Sequence, residues 1–288
     1  MKTVLDTIRT GTPWLEKAGV ENARLNMELL LAKVLGCRRM QLYMDFDRPL
    51  SETELAPLRD LVKRRREGEP LQHLLGSVEF MGREFHCDRR ALIPRPETEE
   101  LVEKILARYR PPHATAPLTI LDMGCGSGVI GLSLAAAFPQ AHVTLADISP
   151  DALSLARENA ALLGLPQERI TFVESNLWSA LGSSTFDLVA ANLPYIDPEE
   201  ISQLSTEVRH DPLLALDGGS AGTALIRQFL HDLPQHLNDA GQIALEVGTG
   251  QTTEFASQLT ALGIPHAEIC HDLARHDRFV FAGGRDSA

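Results

Sequence analysis

The feature that most constrains the fold is a change of pattern at residue 118. From there short apolar runs alternate with helical stretches. The first junction reads Asp122-Met123-Gly124-Cys125-Gly126-Ser127-Gly128-Val129-Ile130-Gly131. Strands are expected at 118–123, 142–147, 169–174, 186–191 and 242–247, with helices at 130–138, 150–163 and about 221–237. Such alternation specifies a doubly wound α/β sheet, mostly parallel, with helices on both faces. Two more short runs, 267–270 and 278–282, are spaced to pair as an antiparallel hairpin at the end of the chain. The apolar stretch 118–138 is long enough to suggest a membrane span. Asp122 and the glycines inside it fit strand, loop and helix instead.

The first 75 residues have a different character. Leu25, Leu29, Leu30, Val34 and Leu35 recur at helical spacing, as do Leu55, Leu58, Leu61 and Val62. Ser51 and Glu54 form a capping-box pattern ahead of the second run. Lys63-Arg64-Arg65-Arg66 ends it, where cations suit the helix dipole, as a solvated helix end or as a contact with RNA or an acidic partner. The runs 78–80 and 84–87 flank Met81-Gly82-Arg83 as a short hairpin, and Leu92-Ile93-Pro94-Arg95-Pro96 is extended before a helix that starts near Glu97. Pro111, Pro112 and Pro117 punctuate a surface loop. The expected domains are a helical unit at 1–75, a β-hairpin linker at 76–93 and a catalytic domain at 94–288.

Charge narrows the function. With 27 basic and 39 acidic residues the net charge is −12, which argues against a protein devoted to nucleic-acid phosphates. The balance is uneven: residues 1–75 hold 13 basic against 11 acidic side chains, net +2, and the remainder is net −14. The chain opens without the apolar run of a signal peptide, and Cys37, Cys87, Cys125 and Cys270 lie far apart. Neither a zinc site nor a disulfide framework is expected. A reduced, cytoplasmic protein with no membrane attachment is the simplest reading.

Glycines at the first junction let backbone approach a ligand closely, and Gly126-x-Gly128-x-x-Gly131 has dinucleotide-loop spacing. Asp147 ends the second strand, where a carboxylate can accept from ribose hydroxyls. On these residues NAD and S-adenosylmethionine fit equally. Two features favour the latter. Asp122 inside the strand suits a cationic ligand group better than a pyrophosphate. Asn192-Leu193-Pro194-Tyr195 follows the fourth strand, at the edge where open α/β sheets bind ligands. Cys125 is a small residue expected to touch the cofactor, with no base paired to it. His73, His86, His210 and the other histidines show no ligand spacing. Glu97 and Glu99 either line the site or serve the helix N-terminus, and Glu246 ends the fifth strand near the site.

The chain resembles the HemK-type protein-(glutamine-N5) methyltransferases of class I peptide chain release factors. The likeness runs through Ala23-Arg24-Leu25, Arg66-Glu67-Gly68-Glu69-Pro70-Leu71, Gly76-Ser77-Val78-Glu79-Phe80 and Leu92-Ile93-Pro94-Arg95-Pro96-Glu97-Thr98-Glu99. It continues through the glycine loop, Ala215-Leu216-Asp217-Gly218-Gly219, Glu246-Val247-Gly248, Gln251 and Asp277-Arg278. One position departs: Leu193 stands where the family has proline, and Asn-Leu-Pro-Tyr is also similar to the motif of ribosomal RNA adenine dimethyltransferases. The resemblance implies a Rossmann-like methyltransferase domain, a substrate-gripping helical domain and S-adenosylmethionine as donor. Cofactor contacts are then expected from Asp122, Gly124, Cys125, Gly126, Ser127, Gly128, Asp147, Asn176, Leu177 and Asn192, with no metal. It also implies that the substrate amide donates to the Asn192 side-chain oxygen and the Leu193 carbonyl, with Pro194 keeping Leu193 extended and Tyr195 stacking on the amide. A monomer that acts on release factors, with no stable nucleic-acid partner, follows from the same likeness. The alternatives are a ribosomal-protein glutamine methyltransferase, an RNA adenine N6-methyltransferase, an NAD(P)-dependent oxidoreductase and a module that only binds the cofactor.

Overall fold

Apolar residues at helical spacing build five helices at the start of the chain: α1 (Val4–Glu16), α2 (Ala23–Leu35), α3 (Arg39–Leu42), α4 (Glu52–Arg66) and α5 (Leu71–Leu75). These belong to a computed structural model that describes residues 2–108 and 117–284. Pro111 and Pro112 lie outside the described residues. Thr3 caps α1 by accepting the Asp6 N–H at 3.1 Å, and the Asp6 carboxylate accepts the Thr3 N–H at 3.2 Å. At α4 the Glu54 carboxylate accepts the Ser51 N–H at 2.8 Å and its hydroxyl at 2.9 Å. The inward stripes meet in one core around Val4, Ile8, Leu15, Leu30, Leu31 and Leu58.

Contacts divide the chain into two compact units, Met1–Ser77 with Ser205–His210, and Val78–Leu204 with Asp211–Ala288. The first unit therefore includes six residues from far along the chain. Arg65, only 4% exposed, holds them: it donates to Asn26 Oδ1 at 2.7 Å, to the Glu69 carbonyl at 3.0 Å and to the Glu207 carboxylate. Gly68 has a φ of +98°, and a Cβ there would stand 2.5 Å from Thr206 Cγ2.

Next come the hairpin β1 (Ser77–Phe80) and β2 (Arg83–His86), then α6 (Pro96–Arg108), β3 (Thr119–Met123), α7 (Val129–Ala137), β4 (His142–Asp147) and α8 (Pro150–Leu162). They are followed by β5 (Ile170–Glu174), β6 (Phe186–Asn192), α9 (Pro198–Ile201), α10 (Ala224–Asp232), β7 (Leu237–Glu246), α11 (Thr252–Ala261), β8 (Glu268–His271) and β9 (Asp277–Gly283). The large sheet runs β5-β4-β3-β6-β7-β9-β8. Its first five strands are parallel, and β9 is antiparallel to both β7 and β8. Alternate residues of the central strands enter opposite cores: Ile120, Leu188 and Ala190 one, Leu121, Val189 and Ala191 the other. Burial of both faces is what a doubly wound sheet requires. Strand order reverses on either side of β3, so the crevice for a ligand opens where β3, β4 and β6 end.

One expectation is corrected. The helix expected through 237 stops at Asp232, and β7 begins at Leu237 instead of 242. Pro234 cannot continue the helix, so Leu233–Gln235 tighten into a 3₁₀ turn. The Phe186 N–H then donates to the His236 carbonyl at 2.9 Å, which pulls the following residues into the sheet.

Candidate active site

The glycine loop is formed by backbone that has to bend sharply. Gly124 and Gly126 adopt φ values of +69° and +54°, a region that glycine alone enters freely. The Gly124 and Cys125 N–H groups donate to the Ala146 carbonyl at 2.8 and 3.0 Å, tying the loop to the end of β4. Asp147 reinforces it: its Oδ2 accepts the Gly126 N–H and its Oδ1 the Ser149 N–H, each at 2.8 Å. Burial nevertheless raises the Asp147 carboxyl above its ordinary range. A cavity of about 230 Å³ opens here, lined by Gly124, Cys125, Gly126, Ser127, Asp147, Asn176, Leu177, Asn192, Leu193 and Pro194.

These residues fit S-adenosylmethionine. A Cβ at Gly126 would find its nearest neighbour, Ala91 Cβ, only at 3.7 Å, so the missing side chain leaves room for a ligand against bare backbone. Each Asp147 oxygen keeps a lone pair for a ribose hydroxyl after its backbone bond. Exposed Asn176 and buried Leu177 supply a polar group and an apolar cover for a base. Leu177 is held at a φ of +49°, where its carbonyl accepts the Ser175 hydroxyl at 2.5 Å and that hydroxyl accepts the Ala180 N–H at 3.0 Å.

The Leu193 side chain packs against the glycine loop. It is 4% exposed, and a Cβ on Gly124 would lie 2.7 Å from its Cδ2. Its side chain thus locks the tetrapeptide onto the glycine loop.

Three expected site residues lie off the cavity wall. Gly128 starts α7 at a φ of +82°, and a Cβ there would sit 2.9 Å from Leu132 Cδ1 and 3.0 Å from Leu145 Cδ2. Its glycine serves helix–strand packing, not ligand approach. Asp122 is fully buried beneath the loop, accepts the Gly131 N–H at 2.8 Å through Oδ2, and has no partner on Oδ1 among the described residues. Burial pushes its carboxyl up to about 7. It braces the first turn of α7 and does not face the cavity. The Tyr195 ring lies 6.0 Å from the Arg278 guanidinium, and a Cβ on Gly248 would stand 3.2 Å from its Cδ2. Burial raises its hydroxyl to about 12, so it is no base near neutrality. Gln251 fixes the Tyr195 backbone, accepting the Gly248 N–H at 2.8 Å and donating to the Tyr195 carbonyl at 3.1 Å. The Cys125 thiol lines the cavity, but burial drives its pKa well above the ordinary value and leaves no thiolate nucleophile.

To the other residues around the site the sequence assigns no role. Buried Asp211 accepts the Ile93 N–H at 3.1 Å and an Arg95 N–H at 2.6 Å, holding the Ile93–Arg95 segment beside the cavity. Arg90, also on the wall, donates to Glu158 at 2.6 and 2.7 Å and to Asp88 at 2.8 Å. Beside Asn192 on the cavity wall, Thr98 of α6 accepts the Asn192 Nδ2–H at 3.1 Å and donates to Glu246 Oε2 at 2.8 Å. Asn192 and Glu246 are register partners on β6 and β7. Burial pushes Glu246 up to about 7, against the opposing pull of Thr98 and Arg278.

A doubly wound sheet with this cavity at the carboxyl ends of its strands defines a Rossmann-like methyltransferase domain, and the family model "Methyltransferase small domain" matches residues 102–210. The fold is shared with a methyltransferase from Pyrococcus furiosus (TM-score 0.51, 16% identity, 70% of this chain and 89% of that one). It is shared as well with a T. thermophilus 16S rRNA methyltransferase solved with AdoMet and guanosine (TM-score 0.52, 18% identity, 73% of this chain and 50% of that one). The family model "PrmC N-terminal domain" matches residues 6–76. Proteins named release factor glutamine methyltransferase are 42% identical in Geobacter sulfurreducens, across 97% of this chain and 96% of the relative. In Deinococcus radiodurans the identity is 39%, across 96% and 97%. The chain belongs to the release factor glutamine methyltransferase family.

Proposed function

We propose that the protein transfers a methyl group from S-adenosylmethionine to the side-chain nitrogen (N5) of the glutamine in the Gly-Gly-Gln motif of class I peptide chain release factors. The single observation that carries this reading on the molecule itself is the hydrogen-bonded placement of Asn192. With Nδ2 committed to Thr98 at 3.1 Å, the oxygen of the same amide remains as an acceptor on the cavity wall. When bound, S-adenosylmethionine supplies an activated methyl group for in-line displacement. The difficulty lies with the acceptor, since the lone pair of an amide nitrogen is delocalised into its carbonyl. Asn192 Oδ1 and the Leu193 carbonyl accept the two amide hydrogens, fixing the nitrogen in line and stabilising positive charge as it develops. Pro194 keeps Leu193 extended so that its carbonyl stays presented. Leu193, wedged on Gly124, couples the acceptor groups to the loop that holds the cofactor. None of these residues has to be a strong base, because the methylated nitrogen is acidic and sheds its proton to bulk water.

In this reading residues 1–75 grip the protein substrate, 76–93 link and 94–288 catalyse. The enzyme works as a cytoplasmic monomer without a stable nucleic-acid partner. No described helix is long and apolar enough to cross a membrane. The test is incubation with labelled donor and separate pools of release factors, ribosomal proteins and RNA, followed by mass spectrometry of the Gly-Gly-Gln peptide. Methylated glutamine in the release factor is expected. A methyl group on adenine or on a ribosomal protein, with that glutamine untouched, overturns the assignment.

A further inference from the structure

We infer that Thr98 and Glu246 are positioning residues for methyl transfer, holding the Asn192 amide in the one orientation that offers its oxygen to the substrate. This rests on the glutamine reading of the site. The inference follows from the direction of the hydrogen bonds. Above about pH 7, where Glu246 is ionised, its carboxylate only accepts, so the Thr98 hydroxyl, 2.8 Å from Glu246 Oε2, spends its single proton on that bond. What Thr98 then offers to Asn192 is a lone pair, and only the Nδ2 end of the amide can answer it, at 3.1 Å. A flipped amide would set two acceptors against each other. Glu246 and Thr98 are 2% and 3% exposed, so water does not replace either partner. The three side chains come from β7, α6 and β6, and each element is anchored in the sheet or packed on it. Without the carboxylate, the threonine hydroxyl can donate to Asn192 Oδ1 instead. The turned amide would then point its NH₂ at the substrate NH₂, donor against donor.

The test is a double-mutant cycle in the full chain at about pH 8, where Glu246 is ionised, read as turnover on an intact release factor, with donor affinity and thermal unfolding measured in parallel. Thr98→Val should lower kcat by about 10–100-fold, the scale expected when a reacting group is misaligned. Donor affinity should stay close to native, and Thr98→Ser, which restores the hydroxyl, should recover most of the loss. In an Asn192→Ala background Thr98→Val should cause no further loss, because there is no amide left to orient. Equal losses in both backgrounds, or no loss in the first, overturn the proposal. If Thr98→Val does not fold, Glu246→Gln enters the same cycle. Its amide accepts or donates and so removes the directional constraint, and the same two results decide. Failure of the glutamine reading looks different: the native enzyme leaves the Gly-Gly-Gln glutamine unmodified, or Asn192→Ala methylates it at the native rate.

Discussion

Both carboxylate oxygens of Asp147 already accept a backbone N–H, from Gly126 and from Ser149. The residue therefore shapes the loop while keeping lone pairs for a ligand, and its loss should be felt in binding first. Asp147→Ala should weaken S-adenosylmethionine binding by about 1–3 kcal/mol, the usual loss when a buried polar partner goes missing, as measured by titration calorimetry. An unchanged dissociation constant would remove Asp147 from the site. Glu246 offers a different test. Its carboxyl is raised from 4.5 to about 7 by burial, so the folded chain holds the proton more tightly than the unfolded chain does. The contribution of Glu246 to stability is then greatest below pH 4.5 and declines as pH rises through about 7. Glu246→Gln cannot titrate. Denaturant unfolding at a series of pH values should show the variant gaining on the native protein between about 4.5 and 7, with a flat difference on either side. A constant difference across that window would mean that Glu246 is not buried as a titrating acid.

At the scale of elements, the start of α7 carries a sharp prediction. Gly128→Ala places a side chain in the left-handed region and drives its Cβ against Leu132, Leu145 and Ala156. Strain and overpacking together should cost about 2–4 kcal/mol. Gly164 also has a positive φ, but nothing lies within 4 Å of the added Cβ. Gly164→Ala should cost only about 1 kcal/mol, and chemical denaturation of the pair separates conformational strain from crowding. The same elements show what sequence reasoning reaches. The strands β3 and β6 are legible because both faces are buried, which leaves an unbroken apolar run. Asp147 and Asn192 are legible because they end such runs on the side where ligands bind. The end of α10 is misread because the break depends on Pro234 and on a hydrogen bond from Phe186, far away in sequence. Asp122 has the right residue type for a ligand contact, but only the folded strand shows that it faces α7. Thr98 is legible only as a member of the family-like segment 92–99, without a role, and Asp211 gives no signal at all, since their partners lie about a hundred residues away and local spacing cannot predict such meetings.

Over the whole molecule, the charge imbalance and the switch from helices to alternating strands mark two kinds of chain, and the six residues 205–210 blur that line. No composition or periodicity in Ser205–His210 announces that Arg65 needs Glu207. Glu207→Ala should leave Arg65 buried without its carboxylate and cost about 1–3 kcal/mol, read as a lower unfolding midpoint, while Asn26 and the Glu69 carbonyl retain part of its hydrogen bonding. No change in that midpoint would show that Glu207 contributes nothing to the first unit. The helical unit is thus not a bead that evolution or an engineer can cut out as one continuous segment. A chimera that borrows residues 1–77 from a relative inherits a socket without its plug, and a graft meant to alter substrate choice has to carry the matching residues 205–210 as well.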